Sequence, residues 1–516
     1  MTETSPARWF TAALLILAGS CAPVSHERGS GTGPGYAGAE RVFAFGYTSI
    51  VDRHLDPISP GAIAFEGMRG LASIDPEIGL DQSDGKIRLT AADHVVAEYP
   101  QPADGDTRGW ARLTVTAALD ARSLSDTLRS ADVERVYEAV FDATLSRLDL
   151  FSRYSGAKEA REHRASRSGF GGIGIRFEQI EGETRITEIM DETPAAAAGL
   201  QTGDIITHVD GERVDGMERE ELSQRLRGPV ASTVVVTVRR GFKPIEASLH
   251  RALIVAPTVF AGLHDGIAEL RITSFNQKTA ASLTAELTAL RAKAGTGLKG
   301  AVLDLRGNPG GLLDQAVAVA DLFVAQGPLV STRGRHPLAS QSYEARPGDI
   351  GEDLPLVVLV DGKSASAAEI VAAALQDSGR ALLVGTNSYG KGTVQTVIHL
   401  PNDGEMTLTW SRFHAPSGYA LHGLGVLPTL CTNPDAGLAR SEEALAANLG
   451  QWRLAAVEDG GTRRTLRGLC PAQSRADAAG DLTAARHVLA DPGLMGRLLA
   501  LSMPVDPTSL AHRPGQ

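Results

Sequence analysis

Cysteine is scarce in this chain, with three in 516 residues, at positions 21, 431 and 470. No Cys/His group among them has metal-ligand spacing, so a zinc site is not expected, and no residue pattern implies any other cofactor. Basic residues are not in excess: the formal charge is -11 and the pI about 5.7. That balance argues against a nucleic-acid partner, which needs a basic face. No long block of one charge stands out, so charge alone names no partner. The uncharged apolar run from Trp9 to Leu17 is too short to span a bilayer, for which about 20 residues are needed. With 43% hydrophobic and 22% charged residues, the chain has ordinary globular composition. It is too long for one typical domain, and three or four units are the expectation.

The first 21 residues carry an address. Arg8, the run to Leu17, and the small residues Ala18, Gly19 and Ser20 before Cys21 fit a cleaved export signal. Small residues ahead of a cysteine resemble a bacterial lipobox, although Leu17 lies one place further upstream than is usual. The resemblance implies a lipid on Cys21, a membrane tether and a periplasmic location in the cell envelope. Residues 22–38, with "GSGTGPGYAG", read as a flexible tether. With Cys21 lipidated, Cys431 and Cys470 form an even pair in an oxidising compartment, and a Cys431–Cys470 disulfide is expected. Two buried free thiols are the alternative.

Residues 39–167 are mostly helical in pattern. "ISPGAIAFEGMRGLASID" and "SADVERVYEAVFDATLSRLDLFSRY" space apolar residues helically behind a serine. "GKIRLTAADHVVAEYP" between them reads as short strands or an irregular insert. The two helical stretches share an apolar–acidic ending, Ile74-Asp75 and Leu148-Asp149, too slight to be a repeat.

From about 168 to 252 the chain becomes β-rich. "GFGGIGIRFE", then Thr193-Pro194 through Gly203-Asp204, then a helix from about 217 to 227, resemble a PDZ domain. Backbone N–H groups of the turn Gly172-Ile173-Gly174-Ile175 form a concavity suited to a terminal carboxylate, beside a strand edge that can add a peptide. Residues 253–430 follow an α/β rhythm of strands running into turns and helices. Residues 431–516 read as a mixed tail with one helix near 480–490.

Chemistry gathers where strands end in turns. In "DGKSASAAEIVAAAL" two serines stand directly ahead of a helix. An N-cap is the ordinary reading of either. A nucleophile is the other: exposed N–H groups and the positive helix end stabilise negative charge nearby. A serine nucleophile needs a base. Lys391 lies between glycines in "NSYGKGTVQ", ahead of an apolar strand. An ordinary lysine is neutral in only about one molecule in 2,500 at pH 7, so a base there must be shifted by roughly 3 units, near 4–5 kcal/mol. Gln395, four residues on, offers a neutral amide to orient the amine. Lys363, His414 and His422 are competing bases, and Ser364 a competing nucleophile. Oxyanion donors are the N–H of Ala367 and that of Gly310 or Gly311 in "GNPGG". Asp304 and Arg306 read as a structural pair.

"DLRGNPGG", "SASAAEIVAAALQD" and "GKGTVQ", in this order behind the β-rich module, resemble the carboxyl-terminal processing peptidases, or tail-specific proteases. The likeness runs from about Leu148 to Pro428. It implies an α/β chain with a crotonase-like catalytic core, an inserted PDZ domain and a helical N-terminal region. It also implies a serine endopeptidase acting on polypeptides with exposed C-termini, with a Ser–Lys dyad and no cofactor. Position by position, Ser366 matches the nucleophile, Lys391 the base and Gln395 its orienting partner. Ser364 is left as a turn residue. A catalytically dead PDZ scaffold is the reading from another class; the presence of Ser, Lys and Gln together disfavours it. An acyl-CoA enzyme of the wider fold is disfavoured by the export signal.

Overall fold

The computed structural model describes residues 36, 38–351, 354–434, 442–475 and 479–503. The export segment, Cys21 and nearly all of the tether lie outside them.

The main sheet has six strands in the order Val259–His264, Ile267–Ile272, Gly300–Asp304, Leu356–Val360, Leu382–Gly385, Leu430–Cys431. The first pair is antiparallel and all later pairs are parallel. Every residue of "GAVLD" and "LVVLV" is buried, as central parallel strands covered on both faces require. Helices Thr279–Ala294, Leu313–Asp321 and Ala367–Asp377 supply crossovers. The last, "AAEIVAAALQD", is buried along its whole length. Its five alanines let neighbours close on it from all sides, which a helix with one polar face would not permit.

A second sheet stands against the first: Gln341–Glu344, Pro328–Arg333, Glu405–His414 and Thr393–His399, with Arg153–Ser155 added beside Glu405–His414. The hairpin of its last two strands bridges two cores. Val394 and Phe413 pack into the main core, while Ile398, Leu400, Met406 and Leu408 pack among the N-terminal helices. Those helices, Ala39–Arg53, Pro60–Arg69, Thr107–Leu124 and Val133–Ser146, bury Phe43, Tyr47, Trp110 and Phe141. Ser59, Asp106 and Asp132 cap three of them by accepting from backbone N–H groups. The expected insert is a three-stranded antiparallel sheet, Ile78–Ser83, Lys86–Ala91 and His94–Pro100.

The β-rich module has its own core, around Ile186, Leu222, Val234 and Val236. Its path is Lys243–His250, Thr233–Arg240, Ile205–Val209, Glu183–Ile189, Ile175–Ile180, which leaves the last at an edge. Helix Arg219–Leu226 packs on it through Leu222 and Leu226. Asp204 of the "GLQTGD" turn is buried and accepts two hydrogen bonds from Arg240, both 2.8 Å, which hold its carboxyl below the usual range. Two short antiparallel strands, Phe170–Gly172 and Ala252–Ile254, bring the module's entry and exit side by side.

The tail holds more structure than the single expected helix: Glu442–Leu454, Gly460–Arg467, Ala479–Ala490 and Pro492–Ser502. Leu449, Trp452, Leu466, Val488 and Met495 join the main core, so the main sheet is covered partly by these residues. Cys431, on the outermost parallel strand, is disulfide-bonded to Cys470, with Cα atoms 6.1 Å apart. Asp304 and Arg306 are paired and buried, and Arg306 also reaches Asp481 at 3.2 Å.

Candidate active site

Ser366 is the N-cap of helix Ala367–Asp377. Its backbone is left-handed, φ 54° and ψ −114°, a region costly for a residue with a Cβ and concentrated at functional sites. Ser364 is different. It is fully buried, its hydroxyl donates to the Leu305 carbonyl at 2.8 Å, and it accepts from the Asp361 N–H at 2.9 Å. Both interactions stabilise the turn and leave the hydroxyl no freedom to react. Lys363 is exposed.

A cavity of about 400 Å³ opens at Ser366 and is also lined by Lys391, Gln395, Gly310, Gly311 and Arg153. Lys391 is half-buried, and burial, then the charge of Arg153, push its pKa below the ordinary lysine value against the pull of Glu369 and Asp149. Among the described residues no carboxylate lies within salt-bridge distance of its ammonium. Its Nζ stands 5.0 Å from the centre of the Phe151 ring. Gln395 sits where the register of its hairpin shifts between Val394 and Gln395, an irregularity that re-aims a side chain. Its Nε2 donates to Thr393 Oγ1 at 2.9 Å and to Thr409 Oγ1 at 3.4 Å. Both amide hydrogens are thereby committed, and the amide oxygen remains as an acceptor.

Glu369, three residues after Ser366, ties the two halves together. Its buried carboxylate accepts from the Ser366 N–H at 2.8 Å and the Lys391 N–H at 2.9 Å through Oε2. Through Oε1 it accepts from the Gly390 N–H at 2.6 Å and the Ser388 hydroxyl at 2.5 Å. Burial pushes its pKa up while these four donors pull it down. One carboxylate thus fixes the backbones of the serine and the lysine against each other.

Of the two loop glycines, Gly310 is engaged: its N–H donates to Asn308 Oδ1 at 2.8 Å. That bond leaves Gly311 the freer of the two as an oxyanion donor. The place of Gly310 is still tight, since a Cβ there would meet Ser366 Cβ at 2.9 Å and Ala367 N at 3.1 Å. The N–H groups of Gly311 and Ala367 have no partner among the described residues and remain as donors. His414 and His422 do not line the cavity. Burial lowers the pKa of each, and His422 faces a smaller cavity with His54, Asp149, Thr393 and Thr409.

Gly172, Ile173, Gly174 and Ile175 belong to the β-rich module and stay apart from the cavity. Gly172 pairs with Ala252, the Ile173 carbonyl accepts from the Ala195 N–H at 2.9 Å, and Ile175 begins the edge strand. Sequence reasoning missed Glu369, Phe151, Arg153 and His163, the last also a cavity residue. Glu369 had a signal, because Ser-x-x-Glu ahead of an apolar run is a capping-box pattern.

Residues 266–431 match the model of peptidase family S41, and residues 185–240 that of a PDZ domain. The chain is 40% identical over 303 residues to the carboxy-terminal-processing protease of Bartonella bacilliformis, covering 58% of this chain and 70% of that one. It is 33% identical over 308 residues to the carboxy-terminal processing protease CtpA of Bacillus subtilis, covering 59% and 65%. The solved photosystem II D1 C-terminal processing protease is similar at 24% identity and a TM-score of 0.39, over 79% of this chain and 96% of that one. The S41 match, the PDZ match and these two relatives make the chain a serine-type peptidase. The chain belongs to peptidase family S41, among its carboxy-terminal processing proteases.

Proposed function

We propose that this chain is an exported serine endopeptidase that cuts polypeptides near their C-termini with a Ser366–Lys391 dyad on a crotonase-like core. The observation that carries this reading is the meeting of Ser366, Lys391 and Gln395 in one cavity, on backbones strapped together by Glu369. Neutral Lys391 takes the proton of Ser366 Oγ as that oxygen attacks the scissile carbonyl. Gln395, its amide hydrogens already committed, offers only its oxygen to the amine and so orients it without adding charge. The oxyanion meets the N–H groups of Ala367 and Gly311 at the helix tip. The lysine then passes its proton to the leaving amine, and a water it deprotonates hydrolyses the acyl-serine. No step calls for a metal or an organic cofactor. The export signal and a lipid on Cys21 would hold the enzyme at a membrane of the bacterial envelope.

Labelling tests the nucleophile. A fluorophosphonate is expected to modify the intact chain once, on the peptide carrying Ser366, and the Ser366→Ala variant not at all. Label on Ser364, or none on a chain that cleaves peptide, would overturn the assignment.

The PDZ domain captures substrate ends in this proposal. Its edge strand Ile175–Ile180 can accept a peptide as one more strand, and the turn before it can hold the terminal carboxylate. Because entry and exit strands pair, the domain can be excised without separating the flanking segments. Replacing residues 173–251 by a short Gly-Ser linker is expected to raise cleavage of a short peptide several-fold if the domain blocks the site at rest. Unchanged or abolished cleavage by the folded variant would leave delivery, not blocking, as its role.

A further inference from the structure

We propose that the segment Asp149–Arg153 is a clamp on Lys391, in which Asp149 and Phe151 are positioning residues for the base. The inference rests on Lys391 being that base. The segment lies far from the dyad in sequence, between the last helix of the N-terminal bundle and strand Arg153–Ser155.

Its own packing is weak. Leu150 is 95% exposed, and Phe151 belongs to none of the hydrophobic cores. What holds it is polar. Asp149 Oδ1 accepts from the Phe151 N–H at 2.7 Å and the Ser152 N–H at 2.8 Å, and Oδ2 from the Ser152 hydroxyl at 2.6 Å. That carboxylate is gripped from two further sides. Thr409 Oγ1, the hydroxyl that accepts from Gln395, donates to Oδ1 at 3.1 Å, and His54 Nε2 lies 3.4 Å from Oδ2. His54 is the buried C-cap of the first helix, and the next residue, Leu55, donates its N–H to the Thr409 carbonyl at 3.0 Å. The Thr409 N–H in turn donates to Ser152 Oγ at 3.1 Å. The first helix, the segment and the strand facing Gln395 are thus one polar unit.

Its consequence falls on Lys391. Phe151 covers the ammonium and Arg153 lines the same cavity. A ring face attracts a cation. Burial comes first among the causes that lower the Lys391 pKa, so exclusion of water prevails over the attraction. The clamp favours the neutral amine. The ionised groups acting on Lys391 are Arg153, which assists, and Glu369 and Asp149, which oppose. Asp149 itself faces His54, with Asp56, Arg412 and His422 lining the same small cavity. Burial works against a charged His54 ring, but the hydrogen bond to Asp149 and the nearby acidic charge outweigh it and raise its pKa, while the Asp149 carboxyl lies well below the usual range.

The two ways Asp149 could matter have opposite signs. As a charge, it keeps Lys391 protonated, and removing it would move the acid limb of kcat/KM to lower pH. As a grip, it keeps Lys391 dry, and releasing the segment moves the limb to higher pH. The test is the pH profile of kcat/KM for the full chain carrying Asp149→Ala, Asp149→Asn or Phe151→Ala. Asp149→Ala and Phe151→Ala are expected to move the limb up by about one pH unit and to cut kcat/KM near neutrality about tenfold, the tenfold being one unit of lysine pKa. Asp149→Asn keeps an acceptor for both N–H groups and is expected to show no upward shift. A limb that stays in place or moves down in both folded alanine variants overturns the clamp, as does Asn matching Ala. Should Asp149→Ala not fold, Phe151→Ala carries the test on the same criterion. A fully active Lys391→Ala chain would instead sink the dyad reading beneath it, so the two failures are distinguishable.

Discussion

Lys391→Ala is expected to lower kcat/KM for peptide cleavage by roughly a thousandfold or more, at the upper end of what a general base contributes. Lys391→Arg should be equally inactive at every accessible pH, since guanidinium does not lose its proton there. In the wild type the acid limb reports the lysine. The protonated amine dominates below its pKa and cannot accept from Ser366, so kcat/KM rises with pH through that value, which burial first and Arg153 second place below the ordinary one. His414→Ala is expected to leave the profile in place, because His414 does not line the cavity. Cleavage that survives in folded Lys391→Ala, and fails in His414→Ala, would reverse the assignment.

The same shift predicts that inactivation need not cost stability. Between the folded pKa of Lys391 and the unfolded value near ~10.4, the unfolded chain binds more protons, so wild-type stability rises with pH across that window. An uncharged side chain of similar length escapes this penalty. Lys391→Met is expected to be inactive, to melt no lower than the wild type at neutral pH, and to lose that part of the pH dependence of Tm.

How much of this was readable in advance depends on how far each partner lies along the chain. Ser366 and Lys391 stand in local patterns, a turn entering a helix and a lysine between glycines, and both patterns answer to backbone needs that leave a mark in sequence. The left-handed φ of Ser366 leaves none. Glu369 is visible as the fourth residue of a capping-box pattern, but its other donors, Ser388, Gly390 and Lys391, come from a separate turn 19 to 22 residues away. Leu148-Asp149 read as the end of a helix; its bond to Thr409, 260 residues on, exists only in the fold. The tail misled for another reason. Helix Gly460–Arg467, "GGTRRTLR", shows no apolar stripe because its buried face is Leu466 and Arg463, and Arg463 is satisfied by the carbonyls of Ala420, Ala455 and Ala456. A cation buried among carbonyls looks like a surface residue in sequence. For Gln395, alternation along a strand would put it on the same face as Lys391, four residues earlier, but the register shift beside it decides its aim.

Glu369 carries the second large expectation. Its four partners are all donors, three of them backbone N–H groups that have no alternative acceptor in the buried turn. Removing the carboxylate in Glu369→Ala strands them. Each buried donor left unpaired costs about 1–3 kcal/mol, so a loss of at least about 3 kcal/mol and a markedly lower Tm are expected. Glu369→Gln is the sharper experiment, because volume is kept while one oxygen becomes an NH₂ that faces donors. Whichever way the amide turns, two donors lose their acceptor: the Ser366 and Lys391 N–H groups, or the Gly390 N–H and the Ser388 hydroxyl. If the NH₂ faces Ser366 and Lys391, the nucleophile is released from its left-handed backbone, a conformation that persists only where surroundings over-determine it. If it faces Gly390 and Ser388, the turn that presents Lys391 loosens instead. Either arrangement separates serine from base, and a displacement of about 1 Å can cost roughly a hundredfold in rate. Folded Glu369→Gln is therefore expected to lose about that much kcat with little change in KM, since the carboxylate does not line the substrate cavity. Equal activity in Glu369→Gln and wild type would mean that the strap between the two backbones is dispensable, and that the dyad is aligned from the cavity side alone.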